Sequence, residues 1–272
     1  MPLLTVFPNA KINLFLEVLG KRDDNYHAIH SFFIPISLTD RITFEKSSTI
    51  ELDTENDIDC NPNDNLVWKA AMMLKQEFGI KEGAKIRLQK NIPLGAGLGG
   101  GSSDAAFTLK ALNTFWNINT SDEQLISLAG KIGSDCPFFI RNKPSIVTGR
   151  GEHVENIDFT LQSPILVVCP SLHISTPEAY GKLGFSEGKS LLSTMCVVSD
   201  IASYRNDFEK VIFAMYPVLQ DIKATLLNSG AYYSAMSGSG SSVFGLFENM
   251  RALTEAQRNI PFPSFIVNQF TD

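Results

Sequence analysis

Pro93-Leu94-Gly95-Ala96-Gly97-Leu98-Gly99-Gly100-Gly101-Ser102-Ser103-Asp104 sets five glycines within seven positions, directly ahead of a segment that reads as helix. A helix N-terminus offers unpaired backbone N–H groups and a partial positive charge, and glycines let the preceding backbone close around an anion. A phosphate is the expected occupant. The P-loop spacing fails, because Gly101 stands where that motif needs a lysine. Gly95, Gly97 and Gly100 satisfy the dinucleotide spacing G-x-G-x-x-G, but Pro93 interrupts the approach from the strand at Lys85 to Lys90. The acidic residues about 20 positions on, Asp122 and Glu123, open another helix instead of ending a second strand. A flexible linker does not run into Ala105, Ala106, Leu109, Leu112 and Phe115, an apolar helical stripe. A third kind of phosphate loop is the remaining reading.

Outward from this loop, the chain of 272 residues is long enough for one large or two moderate domains, and 44% apolar residues supply a core. Its 23 basic and 29 acidic residues leave −6, without a basic run carrying interleaved aromatics, so nucleic acid is not an expected partner. Cys60, Cys136, Cys169 and Cys196 form no C-x-x-C pair and read as reduced, mostly buried thiols. Leu3 to Phe7 is apolar but is broken by Pro8, Asn9 and Lys11, and no apolar run reaches spanning length. The expectation is a soluble cytoplasmic protein with no membrane partner.

Ile12, Leu14, Leu16 and Val18 alternate with Lys11, Asn13, Phe15 and Glu17 as in a strand, so Lys11 and Asn13 point the same way. Asn65 caps an expected helix to about Gly79, and Ser121 with Gln124 has capping-box spacing for a helix to about Gly133. Cys136-Pro137-Phe138-Phe139 reads as a turn into an apolar strand, Ile165 to Cys169 as a strand, and Phe208 to Leu227 as one helix. Gly184 to Ser190 reads as a polar loop. Ser237 to Ser242 forms a second small-residue loop leading to a strand at Val243 to Phe247. Irregular mixing of strands and helices indicates α+β, with a domain boundary near the turn Gly149-Arg150-Gly151-Glu152.

Lys11, half-buried in a strand, needs a partner, and Asp135 between Ser134 and Pro137-Phe138-Phe139 needs a cation. Such a pair beside a phosphate loop suits phosphoryl transfer to an alcohol: the carboxylate accepts the hydroxyl proton and the ammonium offsets charge. An edge lysine snorkelling to water is the structural alternative. His27-x-x-His30 has two metal-type side chains but no third ligand at suitable spacing. Tyr26, His27 and Tyr180 offer flat rings for a substrate base, with solvent exposure or core packing as the plain alternatives.

Asn9-Ala10-Lys11-Ile12-Asn13-Leu14, Tyr26-His27, the glycine loop, Gly133-Ser134-Asp135-Cys136-Pro137-Phe138-Phe139, Gly149 to Glu152 and Ser237 to Ser242 together resemble the GHMP kinase superfamily. The resemblance runs from residue 9 to about residue 245. It implies a two-domain α+β fold with the active site in the cleft between domains, an ATP-binding N-terminal domain over 1–152 and a C-terminal domain over 153–272. The combination of motifs points to a member that phosphorylates the 2-hydroxyl of a CDP-linked polyol with ATP, in the non-mevalonate route to isoprenoid precursors.

Carried over by position, Lys11 and Asp135 are the implied catalytic pair, with Asp135 as base. Pro93-Leu94-Gly95-Ala96-Gly97-Leu98-Gly99-Gly100-Gly101-Ser102-Ser103 would hold the ATP phosphates, with Asn65, Leu66 and Lys90 near the adenine. Asn13, Tyr26, His27, Thr176, Pro177 and Tyr180 would hold the cytidyl substrate, Tyr26 and Tyr180 sandwiching the cytosine. Gly238, Ser239 and Gly240 would support its phosphates or close the site. Cys136 stands where the family more often has valine, and Tyr180 where phenylalanine is commoner. No protein carboxylate is implied for Mg2+, which would ride on the nucleotide phosphates. Another small-alcohol kinase of the superfamily, or a nucleotide binder without catalysis, is the alternative reading.

Overall fold

The computed structural model describes residues 3–55, 64–183 and 201–271. Cys60, Cys196 and the expected polar loop Gly184 to Ser190 lie outside them. By internal contacts the chain forms two compact units, one of residues 1–10, 38–94 and 99–143, the other of 11–37, 95–98 and 144–272. Each unit is built from separated stretches of sequence, and the early strands over 11–37 pack with later segments, so the units interleave along the chain.

The first unit holds a four-stranded sheet in the order β1 (Leu4–Val6), β4 (Arg41–Ser47), β6 (Gly83–Gln89), β5 (Ile50–Thr54), antiparallel except for β5 against β6. Its helices are α1 (Leu66–Glu77), α2 (Gly100–Phe115), α3 (Asp122–Ile132) and α4 (Cys136–Arg141). Asn65 and Ser121 cap α1 and α3 as their sequence predicts, accepting from the N–H groups of Val67 and Gln124. Val67, Ala70, Ala71 and Leu74 of α1 and Ala105, Ala106, Leu109 and Leu112 of α2 are buried, which is the apolar stripe expected after the glycine loop.

The Cys136 segment corrects the sequence reading: it is helix, not strand. Pro137 sits in the first turn, where a missing N–H costs no intrahelical bond, and the short helix buries Phe138 and Phe139. It stops at Asn142, which adopts the left-handed conformation and donates from its side-chain amide to Asn9 Oδ1 at 2.7 Å.

The second unit contains two sheets. One runs β2 (Asn9–Lys21), β3 (His27–Thr39), β7 (Ser145–Gly149), β8 (His153–Asn156), residues 9–10 of β2 and 38–39 of β3 being counted with the first unit. The other is the antiparallel order β10 (Tyr233–Met236), β11 (Val243–Leu246), β9 (Ile165–Val168), β12 (Ser264–Val267). α5 (Thr176–Lys182), α6 (Phe208–Met215), α7 (Pro217–Asn228) and α8 (Met250–Arg258) complete it. Leu16, Leu166, Phe208, Ile222 and Phe247 share its core.

The single helix expected over Phe208 to Leu227 is two. Pro217 removes an N–H and drives Tyr216 out of the helical region, to ψ 76°, so α6 ends there and α7 begins with proline at its first position. Among the described residues, no helix is long and apolar enough to cross a membrane.

Candidate active site

Gly95, Gly97 and Gly99 have φ of 63°, 76° and 71°, the left-handed region that a side chain rarely adopts. Gly99 is the N-cap of α2 and no side chain caps that helix. Its first intrahelical bond at this end is Ser103 N–H to Gly99 O at 2.9 Å. The N–H groups of Gly100, Gly101 and Ser102 therefore have no intrahelical acceptor. These donors at an uncapped helix start fit a phosphate.

In the first unit, Lys90 follows β6 and its side chain is largely covered. Its ammonium donates to Asp40 and, at 2.7 Å, to Asp104 Oδ2. Asp40 in turn accepts from the N–H groups of Asn91 and Ile92 at 2.6 and 2.8 Å, fixing the chain that leads into the glycine loop. Asp104 Oδ1 is buried without a hydrogen bond. One lysine shared by two carboxylates leaves Asp104 pushed up to about 7: burial drives the rise, Lys90 opposes it and the Asp40 charge reinforces it. Asn65 and Leu66 lie at the start of α1, and Asp135, partly buried, stands at the N-terminus of α4. Beside Asp135, burial pushes the Cys136 thiol up to about 12, so it serves as packing, not as a nucleophile.

In the second unit, Lys11 is more deeply buried than the sequence implies, at 3% exposure. Both faces of β2 are covered here, as the burial of Asn9 through Glu17 shows. Lys11 Nζ donates to Asn13 Oδ1 at 2.6 Å, as their shared strand face predicts, and to the carbonyl of Gly97 at 3.0 Å. It also lies 4.6 Å from the centre of the Phe33 ring. The backbone N–H of Lys11 donates to Leu98 O at 2.9 Å, so the strand is pinned to the glycine loop at two points.

The second small-residue loop meets the same place. Ser237 Oγ donates to Gly97 O at 2.9 Å, and Ser242 N–H donates to Ala96 O at 3.1 Å. Gly238 and Gly240 are buried, and Ser239 Oγ lies 2.8 Å from Thr176 Oγ1. Thr176 and Pro177 are exposed at the start of α5.

The ring that stacks on Tyr180 is His27, with centroids 4.4 Å apart and planes 7° from parallel. Tyr180 also meets Phe208 edge-on at 4.8 Å, so it has both a core contact and a stacked face. Tyr26 is 52% exposed and carries the Arg150 guanidinium over its ring at 5.0 Å. Burial lowers the basicity of His27, with Lys21 adding to the effect. His30 instead contacts Glu17 at 3.2 Å; residues 27 and 30, three apart in a strand, leave by opposite faces and do not form a metal pair. Among the described residues no group of three His, Cys, Asp or Glu is placed to hold a metal ion.

Asp40 is a residue that sequence reading did not single out: it sits in unremarkable sequence, whereas Ser237 opens the small-residue loop.

Residues 65–143 match the GHMP kinases N terminal domain, and residues 198–263 match GHMP kinases C terminal. The chain is 43% identical over 251 residues to the 4-diphosphocytidyl-2-C-methyl-D-erythritol kinase of Azobacteroides pseudotrichonymphae genomovar. CFP2, covering 90% of this chain and 94% of that one. It is 44% identical over 248 residues to the protein of that name from Parabacteroides distasonis, covering 89% and 91%. The chain belongs to the 4-diphosphocytidyl-2-C-methyl-D-erythritol kinases of the GHMP kinase family.

This GHMP kinase superposes on the crystal structure of a 4-(cytidine 5'-diphospho)-2C-methyl-D-erythritol kinase with a TM-score of 0.86 at 30% identity, over 98% of this chain and 100% of that one. Mevalonate kinase from Methanococcus jannaschii, at 18% identity and a TM-score of 0.73, shares the fold. An ATP-dependent kinase of mixed α and β structure is therefore established by relatives and by fold together.

Proposed function

We propose that the protein transfers the terminal phosphoryl group of ATP to the 2-hydroxyl of 4-diphosphocytidyl-2-C-methyl-D-erythritol, in the methylerythritol phosphate route to isoprenoid precursors. The observation that carries the residue assignment is the Lys11 ammonium, buried and held 3.0 Å from the Gly97 carbonyl of the glycine loop. A cation fixed to the loop that receives phosphates offsets the charge of the transferring group.

In this reading the N–H groups of Gly100, Gly101 and Ser102 receive phosphate oxygens of the nucleotide, within the loop Pro93 to Ser103. Asn65, Leu66 and Lys90 border the adenine. Asp135 takes the proton of the 2-hydroxyl as that oxygen attacks the terminal phosphorus. The new bond joins hydroxyl oxygen to phosphorus; the bond to the oxygen bridging the β-phosphate breaks, and ADP leaves with that electron pair. Asn13, His27, Thr176, Pro177 and the rings of Tyr26 and Tyr180 orient the cytidyl end, while Gly238, Ser239 and Gly240 face its phosphates. His27 leaves the face of Tyr180 when the base enters.

No carboxylate cluster among the described residues suits a resident metal, so no step is assigned to one. Magnesium would arrive on the nucleotide phosphates and neutralise part of their charge. ATP binding is assigned to residues 1–152 and the C-terminal domain to 153–272. The enzyme is placed in the cytoplasm, where the unpaired Cys136 and Cys169 thiols stay reduced.

The test is ADP release from ATP and magnesium with the cytidyl polyol, mevalonate and homoserine as parallel acceptors. Turnover confined to the cytidyl polyol is expected. Turnover with mevalonate or homoserine instead overturns the pocket assignment, and silence with all three overturns catalysis.

A further inference from the structure

Among the contacts of Lys11 Nζ are hydrogen bonds to Asn13 Oδ1 and to Gly97 O. Neither acceptor is held by Lys11 alone. Ser237 Oγ donates to Gly97 O at 2.9 Å, accepts from the Asn13 N–H at 3.3 Å and lies 3.3 Å from Asn13 Oδ1. One hydroxyl thus touches both of these acceptors.

What aims that hydroxyl is Asn206. Its segment lies beside β2: Leu16 N–H donates to Arg205 O and Asp207 N–H to Leu16 O, both at 2.9 Å, and Val18 N–H donates to the Asp207 carboxylate at 2.8 Å. From this anchored backbone the buried Asn206 amide nitrogen donates to Met236 O at 2.7 Å and Gly238 O at 2.8 Å. Its Oδ1 accepts from Phe208 N–H at 3.0 Å at the start of α6. Every polar group of the side chain is used. The two carbonyls it grips flank Ser237, so Asn206 sets the backbone on both sides of the residue whose hydroxyl meets the lysine's acceptors.

We propose that Asn206 and Ser237 form a positioning latch, in which Asn206 fixes the loop Met236–Gly238 so that Ser237 holds Asn13 and Gly97 where they direct the Lys11 ammonium. Neither residue needs to touch substrate. The inference rests on the reading of Lys11 as the cation that serves phosphoryl transfer. Losing the Ser237 hydroxyl removes one contact from each acceptor, Asn13 keeping the bond from its amide nitrogen to Ser31 Oγ at 2.9 Å, and losing the Asn206 amide loosens the loop that carries that hydroxyl. Because the two act in series on one group, their losses do not add.

The experiment compares Ser237→Ala, Ser237→Thr, Asn206→Ala and the double variant Ser237→Ala with Asn206→Ala, reading kcat and KM for ATP and acceptor with thermal unfolding in parallel. Lys11→Met is the reference for the underlying reading. A misplaced ammonium costs rate more than affinity, so Ser237→Ala is expected to lower kcat by on the order of 10- to 100-fold with KM nearly unchanged. Ser237→Thr, which keeps the hydroxyl, restores most of kcat, and the double variant loses no more than the worse single one. Ser237→Ala removes one hydroxyl oxygen and tests the latch even if Asn206→Ala does not fold. Full kcat in folded Ser237→Ala, with Lys11→Met inactive, overturns the latch alone. Multiplying losses in the double variant also overturn it. Full kcat in Lys11→Met overturns the reading of Lys11, and the latch with it.

Discussion

Gly97→Ala is the sharpest single test of how the two small-residue loops meet. A Cβ at Gly97 would lie 2.1 Å from the Ser237 carbonyl oxygen and 3.0 Å from that of Gly240. Ordinary contact begins at 3.4 Å, so the Ser237 carbonyl would have to retreat by about 1.3 Å. Backbone cannot rotate away as a side-chain tip can. The φ of 76° at this position adds a left-handed penalty of roughly 1–2 kcal/mol for alanine. At about 2–4 °C per kcal/mol, that penalty corresponds to a Tm fall of roughly 2–8 °C. The displacement moves the backbone of Ser237, whose hydroxyl donates to Gly97 O, the acceptor it shares with Lys11, and a shift of about 1 Å in a reacting arrangement costs on the order of 10²-fold in kcat. Gly130→Ala in α3 is the control: its Cβ meets only Pro137 Cγ at 3.8 Å, and it gains up to about 1 kcal/mol of helix stability. Steady-state kinetics with differential scanning calorimetry reads both quantities. A folded Gly97→Ala enzyme with kcat within about threefold of wild type, against the ~10²-fold expected, would refute the reasoning.

Asp135→Asn keeps the shape but not the proton acceptor, and kcat is expected to fall by roughly 10²–10⁴-fold with KM for ATP little changed; steady-state kinetics checks it. Asp104→Asn tests the shared lysine. Asp104 is raised from 3.8 to about 7, so its contribution to stability is fully present below about pH 4 and is lost as pH rises to about 7. Urea unfolding of both proteins at about pH 5 and pH 8 should show wild type losing stability relative to Asp104→Asn at the higher pH. Tyr180→Phe should leave the acceptor KM near wild type, whereas Tyr180→Ala should raise it roughly tenfold or more, since base stacking on an aromatic ring is worth about 1–3 kcal/mol.

The glycine turn and the helix after it were legible because glycine content and helical periodicity are local signals. The same holds for the caps at Asn65 and Ser121 and for the shared face of Lys11 and Asn13. Pro137 misled because proline is equally at home in a turn and in a first helical turn, and only the packing of Phe138 and Phe139 decides between them. Pro217 carried the missing break between α6 and α7 in plain view, but a strong apolar period on both sides masked it. The pairing of Ser237 with Gly97 spans 140 positions, and Lys90 with Asp40 spans 50. Such contacts are set by the return of the chain, which no window of sequence displays. The stack of His27 on Tyr180 belongs to the same class: each ring was recognised as a candidate, and their direct contact was not.

The interleaving of the two units bears on how the chain is made. β3 emerges from the ribosome long before β7, its antiparallel partner at Ser145 to Gly149, which pairs with residues 29–33. At about 5–20 residues per second, synthesis of the stretch between them takes roughly 6–22 s. During that interval Phe32, Phe33 and Ile34, fully buried in the finished protein, have no later strand to cover them. Leu16 waits longer still, since its core neighbours Leu166, Phe208 and Phe247 come later in translation. The nascent chain therefore carries sticky, unsatisfied strands through most of its synthesis. Truncated chains ending near residue 152 are expected to aggregate, and holdase chaperones should engage the growing chain through residues 11–37 until the second half is complete.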